Sequence, residues 1–136
     1  MGKDKFETVN KTDGNHFEQW FCAKLFNYGF WVHNLTQNLM GQPADVIAVR
    51  NGKAYLIDCK LCHGKYFSVS RIEGNQHSSM LLWKKHGNGN GLFAIKIEDM
   101  VYMVSLEQIL NAERKNLDVT WLKENALRLH EWEARA

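Results

Sequence analysis

The sequence predicts an α/β fold in which one mixed β-sheet is flanked by helices. Two observations carry this. Two pairs of β-branched and apolar runs, Asp45–Arg50 with Ala54–Lys60 and Leu92–Ile97 with Val101–Val104, each close on a short polar turn. Segments with apolar residues at helical spacing precede, separate and follow these pairs, which is the element order of a sheet with helices on its faces.

Taken in order, Phe17, Trp20, Phe21, Leu25 and Tyr28 recur at helical spacing from Asn15 onward, and Gly29 supplies a C-terminal stop. The first ten or so residues are polar and are expected to fray. Phe30, Trp31 and Val32 read as a short strand, and Asn34–Gln42 as a polar loop. Asn51-Gly52 suits the positive φ angles of a two-residue hairpin turn between Asp45–Arg50 and Ala54–Lys60. Tyr66–Ser70 offers a further strand. Asn75–His86 has a helical pattern that Gly87-Asn-Gly-Asn-Gly91 breaks. The second strand pair turns at Glu98-Asp99, and helices are expected over Leu106–Arg114 and Val119–Trp132. No fixed-period repeat and no Pro/Gly/Ser-rich linker divides the chain, so residues 1–136 are read as a single domain with a core over about 14–105 and C-terminal helices over about 106–133.

Composition excludes several classes of protein. With 45% hydrophobic and 24% charged residues, the 136-residue chain has the apolar content to bury one core, so disorder is not favoured. The longest stretch free of Asp, Glu, Lys and Arg, Leu25–Ala44, contains Asn27, His33, Asn34, Gln37, Asn38, Gln42 and Pro43, which hydrocarbon would not tolerate, so no membrane span is expected. Residues 1–10 lack an apolar secretory core, and the three cysteines, Cys22, Cys59 and Cys62, are too few for a disulfide framework. Both features point to the cytoplasm. The net charge of +2 is segregated: Lys53–Lys96 holds seven basic residues against two acidic ones, leaving an acidic remainder. A basic middle is where a phosphate backbone would be felt.

The hairpin brings charges together. With Asn51-Gly52 at the bend, antiparallel register places Asp45 opposite Asp58, and strand alternation puts Lys60 on the face of Asp58 while Cys59 points the other way. Two carboxylates directly across a strand pair repel unless a cation lies between them. Magnesium takes hard oxygen ligands and keeps several waters, which suits two aspartates, a backbone carbonyl and a substrate phosphate. Lys60 beside it would orient or activate an attacking water and stabilise charge at phosphorus. This combination hydrolyses phosphodiesters.

These residues, Pro43-Ala-Asp45 followed by Asp58-Cys-Lys60, resemble the signature of the PD-(D/E)xK nucleases. Glu18, in Asn15-His-Phe-Glu-Gln-Trp20, matches the helical glutamate that often precedes the first aspartate in that family, and Gln76, in Gly74-Asn-Gln-His77, matches a glutamine of its resolvase branch. The likeness is greatest to Holliday junction resolvases of the archaeal and RecU-like type. Ala44 separates Pro from Asp, the second acid is Asp where Glu is commoner, and the Asn34–Gln42 loop is shorter than the RecU stalk. The resemblance implies a restriction-endonuclease-like core and a Mg²⁺-dependent endonuclease, with Mn²⁺ a possible substitute, that acts on branched DNA such as a four-way junction in recombination and repair. It further implies a homodimer, because two symmetric nicks need two sites. In that reading Asp45, Asp58 and the Cys59 carbonyl bind the metal, Lys60 positions the water, Glu18 holds a water or a second metal, and Gln76 steadies Lys60 or a phosphate.

Alternatives remain at this point: another nuclease of the same superfamily, of replication-and-repair or restriction type, an inactive nucleic-acid-binding module, or an interaction protein with no nucleic-acid role. Cys59-Lys-Leu-Cys62-His63 has the spacing of covalent haem attachment, and its side chains could be imagined as a zinc site, but it starts inside a strand and no second ligand pair follows. Cys59 is read as apolar filler. Most of Trp20, Phe21, Phe26, Trp31, Trp83, Trp121 and Trp132 are expected in the core rather than against bases.

Overall fold

The computed structural model describes residues 10–35 and 43–136, so the expected fraying of the N-terminus and most of the Asn34–Gln42 loop lie outside the described residues. A long helix, α1 (Asn10–Asn27), opens the fold, five residues earlier than the apolar spacing predicts. It ends on Gly29 at φ 92°, where Gly29 N–H donates to Phe26 O and Phe30 N–H to Leu25 O, a glycine C-cap that turns Phe30 into the core. Strands β1 (Trp31–Asn34), β2 (Val46–Arg50) and β3 (Lys53–Leu61) follow. The expected turn is present: Asn51 and Gly52 have φ of 54° and 77°, and Val46 pairs with Ile57, which is the anticipated register.

After β3 come β4 (Tyr66–Ser68), a 3₁₀ turn (Val69–Arg71) and α2 (Gly74–Lys85). Next are β5 (Leu92–Ile97), β6 (Met100–Ser105), α3 (Leu106–Ala112), β7 (Asn116–Asp118), α4 (Val119–Asn125), β8 (Leu127–Arg128) and α5 (Leu129–Arg135). The main sheet runs β1-β2-β3-β5-β6-β8, with β3 and β5 parallel and the other pairs antiparallel. The mixed sheet is therefore as predicted, while β4 joins β7 in a separate two-stranded sheet.

The C-terminal stretch departs from the single expected helix over Val119–Trp132. Trp121 and Leu122 pack with α2, α3 and one sheet face, whereas Leu129 and Trp132 pack with α1 and the opposite face. One straight helix cannot bury both sets, so the chain crosses the sheet edge at β8, which pairs Leu127 and Arg128 with Met103 and Tyr102. Strand alternation divides the core accordingly. Phe93, Ile95 and Ile97 of β5 face the α2 side, and Ala94 faces α1.

Of the aromatics, Phe21, Trp121 and Trp132 are buried as expected, but Trp20, Phe26 and Trp31 are exposed. The buried stripe of α1 is Phe17, Phe21 and Leu25, and Trp20 lies one position off it, stacked on Phe17 at 6.2 Å. Trp31 stands on the sheet's edge strand, where one neighbour is solvent.

Candidate active site

On β3 the side chains facing α2 run Leu56, Asp58, Lys60, Cys62, so two charged groups occupy positions that alternation assigns to the core. Asp58 is 1% exposed and Lys60 9%. Burying charge costs free energy unless it is paired, and here the pairing is partial: Asp58 Oδ2 is buried with no hydrogen bond among the described residues, and the nearby Lys60 charge offsets it. Lys60 Nζ lies 3.1 Å from Asp58 Oδ2 and donates to Gln76 Oε1 and Arg71 O, both at 3.2 Å. Gln76, buried on the first turn of α2, uses both ends of its amide: Nε2 donates to Asp58 Oδ1 at 2.9 Å, and Oε1 accepts from Lys60 and from Glu73 N–H at 3.2 Å. That last bond belongs to the capping box that starts α2, so helix initiation itself aims Gln76 at the site.

Asp45 sits just before β2. Its backbone N–H donates to Ile57 O, and its Oδ2 accepts from Cys59 N–H at 2.8 Å, so a carboxylate stands where the next strand residue would have continued the ladder. Ile57 and Cys59 thus present their backbone groups to the same side, and alternation turns the Cys59 carbonyl towards Asp45 as well. Burial, then the charge of Asp45, pushes the Asp58 carboxyl from 3.8 up to about 8, against the lowering pull of Lys60, and a contact between the two carboxyl groups adds to the rise. Two acids held this way retain a proton between them or share a cation.

Glu18 reaches the same edge from α1, on the other face of the sheet. Burial first and Asp45 second raise its carboxyl from 4.5 to about 7, with Lys60 opposing. The structure therefore brings Glu18, Asp45, Asp58, Cys59, Lys60 and Gln76 together at the end of β3, beside the start of β2. Among the described residues, no three His, Cys, Asp or Glu side chains close on one ion position. Asp45, Asp58 and the Cys59 carbonyl could offer a metal an open set of hard oxygens of the kind that suits an ion retaining water, with Glu18 approaching from α1.

The Cys59-Lys-Leu-Cys62-His63 alternatives find no support: Cys59 packs on the α1 side and Cys62 on the α2 side. Burial raises the Cys59 thiol further, with Asp45 and Asp58 adding to the effect, which keeps it protonated. Two contributors escaped the sequence reading. Arg71 acts through its backbone carbonyl, which leaves no sequence mark, whereas Glu73 was findable from its spacing of three residues to Gln76.

A mixed sheet carrying two acids and a lysine on adjoining strands, with an acid on the preceding helix, defines a nuclease of the PD-(D/E)xK type. Comparison with known proteins narrows the class. The family model described as "Archaeal holliday junction resolvase (hjc)" matches residues 10–135, and the chain belongs to that family. It is 29% identical over 86 residues to the Holliday junction resolvase RecU of Mycoplasmopsis pulmonis, covering 62% of this chain and 55% of that protein. The chain thus spans just over half the length of that relative. Among solved structures, Hjc of Archaeoglobus fulgidus, a Holliday junction resolvase from an archaeal hyperthermophile, superposes with a TM-score of 0.67 at 15% identity, over 90% of this chain and 96% of that one, a likeness of fold. The match to the family model continues through the C-terminal helices. Among the described residues, no helix is long and apolar enough to cross a membrane.

Proposed function

We propose that the chain is a Mg²⁺-dependent endonuclease that hydrolyses phosphodiester bonds of branched DNA, with the four-way junction as substrate and Mn²⁺ as a substitute metal. The observation that carries this is the buried Asp58–Lys60–Gln76 group against Asp45. It places fixed charge where the fold would otherwise bury apolar side chains, and family membership supports the substrate.

Asp45, Asp58 and the Cys59 carbonyl hold the ion, and their two negative charges are matched by its positive ones. Bound there, the metal would supply charge stabilisation at the scissile phosphate and lower the pKa of a water. Lys60, hydrogen-bonded to Gln76 and the Arg71 carbonyl and held by the charge of Asp58, keeps its third ammonium N–H for the attacking water or the developing charge at phosphorus. Gln76 locks the angle between Lys60 and Asp58. Glu18, with its carboxyl raised to about 7, exchanges a proton with a water at the edge near neutral pH. Residues 1–136 act as a single nuclease domain in the cytoplasm, and two copies pair so that both strands of a junction are cut.

The test is incubation of a labelled four-way junction, a flap and a linear duplex with protein and Mg²⁺. Junction-selective cleavage that Asp45→Asn removes is expected. No cutting by the wild type, or full cutting by Asp45→Asn, would overturn the proposal.

A further inference from the structure

Beside the site, between α1 and the end of β3, lies a pocket of about 300 Å³ lined by Gly14, Cys59, Leu61, His63 and Arg71. It shares Leu61 and His63 with a groove of about 1120 Å³ along α1, whose charged lining is Lys96 against Asp13, Glu98 and Asp99. His63 is common to both spaces. Its Nε2 lies 3.8 Å from Asp13 Oδ2, an oxygen that is buried and has no hydrogen bond of its own among the described residues, on a side chain only 7% exposed. The Asp13 carboxylate thus faces the imidazole of His63 across the mouth of the cavity.

Arg71 stands on the other wall. Its Nη1 donates to Leu61 O at 3.0 Å and lies 3.5 Å from Cys62 Sγ, which fixes the plane of the guanidinium, and the group is otherwise exposed. A guanidinium carries five N–H donors, so its remaining donors are available to an anion. Through its carbonyl the same residue clamps Lys60. Arg71 and His63 together on one small cavity that Cys59 also lines are suited to a phosphodiester oxygen.

Resting on the nuclease reading above, we propose that His63, oriented by Asp13, and Arg71 form a second phosphate-binding position that grips the DNA strand at the phosphate next to the one being cut. The grip sets the register of the strand against Lys60 and Asp58. His63 and Arg71 are positioning residues. They contribute to holding the substrate, and the chemistry at phosphorus belongs to the neighbouring carboxylates and lysine.

Binding is measured by fluorescence anisotropy of a labelled four-way junction in EDTA over a salt series, and cleavage by single-turnover kinetics with Mg²⁺. His63→Gln and Arg71→Gln should each raise Kd about 10-fold, and Arg71→Gln should also flatten the slope of log K against log salt by about one phosphate contact. The cleavage rate at saturating junction should stay within about 3-fold of wild type. Asp13→Asn should weaken binding less, by about 3-fold, and His63→Lys, which keeps a hydrogen-bond donor at this position, should recover most of the affinity. His63 is more than one-third exposed, so its replacement leaves folding intact even if Arg71→Gln does not. Unchanged Kd in His63→Gln, an unchanged salt slope in Arg71→Gln, or a loss confined to the rate at saturation would overturn the assignment. A wild type that neither binds nor cuts the junction would overturn the nuclease reading and the phosphate position with it.

Discussion

Replacing Asp58 by Asn should change how the metal-free protein responds to pH more than it changes the fold. Asp58 is 1% exposed, and burial together with Asp45 raises its carboxyl from 3.8 to about 8. Between those values the folded chain holds the proton and the unfolded chain has released it. Stability is therefore greatest below about pH 4 and is lost as pH rises towards about 8, at close to 1.4 kcal/mol per pH unit. From pH 5 to pH 8 the full slope amounts to about 4 kcal/mol, and relaxation around the site brings a realistic figure to about 2 kcal/mol. Asn mimics the protonated acid: its Oδ1 still accepts from Gln76 Nε2, and Lys60 keeps Gln76 Oε1 and Arg71 O. Any constant cost of weakening the Lys60 contact cancels when one pH is compared with another, and so does the titration of Glu18, which both proteins share. Urea unfolding in EDTA at pH 5 and pH 8 measures the difference. The gap between Asp58→Asn and wild type should move in favour of the variant by at least about 2 kcal/mol over this range, while cleavage with Mg²⁺ is abolished. Parallel pH dependences in the two proteins would refute the reasoning.

Two further substitutions probe how the site is supported. A Cβ added at Gly91 would stand 2.3 Å from Met80 Cγ and 2.5 Å from Met80 Cβ, so Gly91→Ala must push α2, which carries Gln76, away from the sheet. A loss of about 1–3 kcal/mol in urea unfolding and slower cleavage are expected, and unchanged values for both would show that α2 tolerates the shift. Arg50 at the end of β2 donates to Tyr28 O and Glu133 Oε1, each at 2.9 Å, and to Ala136 O at 3.0 Å, with its guanidinium 4.2 Å from the Phe30 ring centroid. Arg50→Ala should cost about 1–3 kcal/mol and expose α5 to limited proteolysis, with cleavage of the junction at 25 °C retained. Equal protease resistance of α5 in both proteins would refute that role.

The hairpin was legible because its determinants are local. Asn51-Gly52 fixes the turn, the turn fixes the register, and register alone brings Asp45 beside Asp58. Glu18 was legible only through family resemblance, since on α1 it is one polar residue among several, and what distinguishes it is the tertiary approach of that helix to β3. The break within Val119–Trp132 could not be read from helical spacing. Both halves satisfy that pattern separately, and the conflict lies in their burial on opposite faces of the sheet. The burial of Trp20 failed for a related reason: on a helix presenting one stripe to the core, a shift of one residue is a rotation of about 100°.

The placement of the site follows from where the β2–β3 ladder stops. Beyond Val46 no strand residue continues to pair with β3, and the carboxylate of Asp45 takes the Cys59 N–H that such a residue would have bonded. The same interruption frees the Cys59 carbonyl from a ladder partner on that side and lets α1 bring Glu18 round from the opposite face. A continuous sheet would satisfy those backbone groups and have no use for charge. Here the acids gather at the discontinuity, while the rigid parallel pair β3–β5 and the capped start of α2 hold Lys60 and Gln76 against them. The elevated Asp58 carboxyl is the free-energy cost of that arrangement. In the proposed reading a divalent cation would offset it by replacing the retained proton, which would couple metal binding to folding stability through one carboxylate pair.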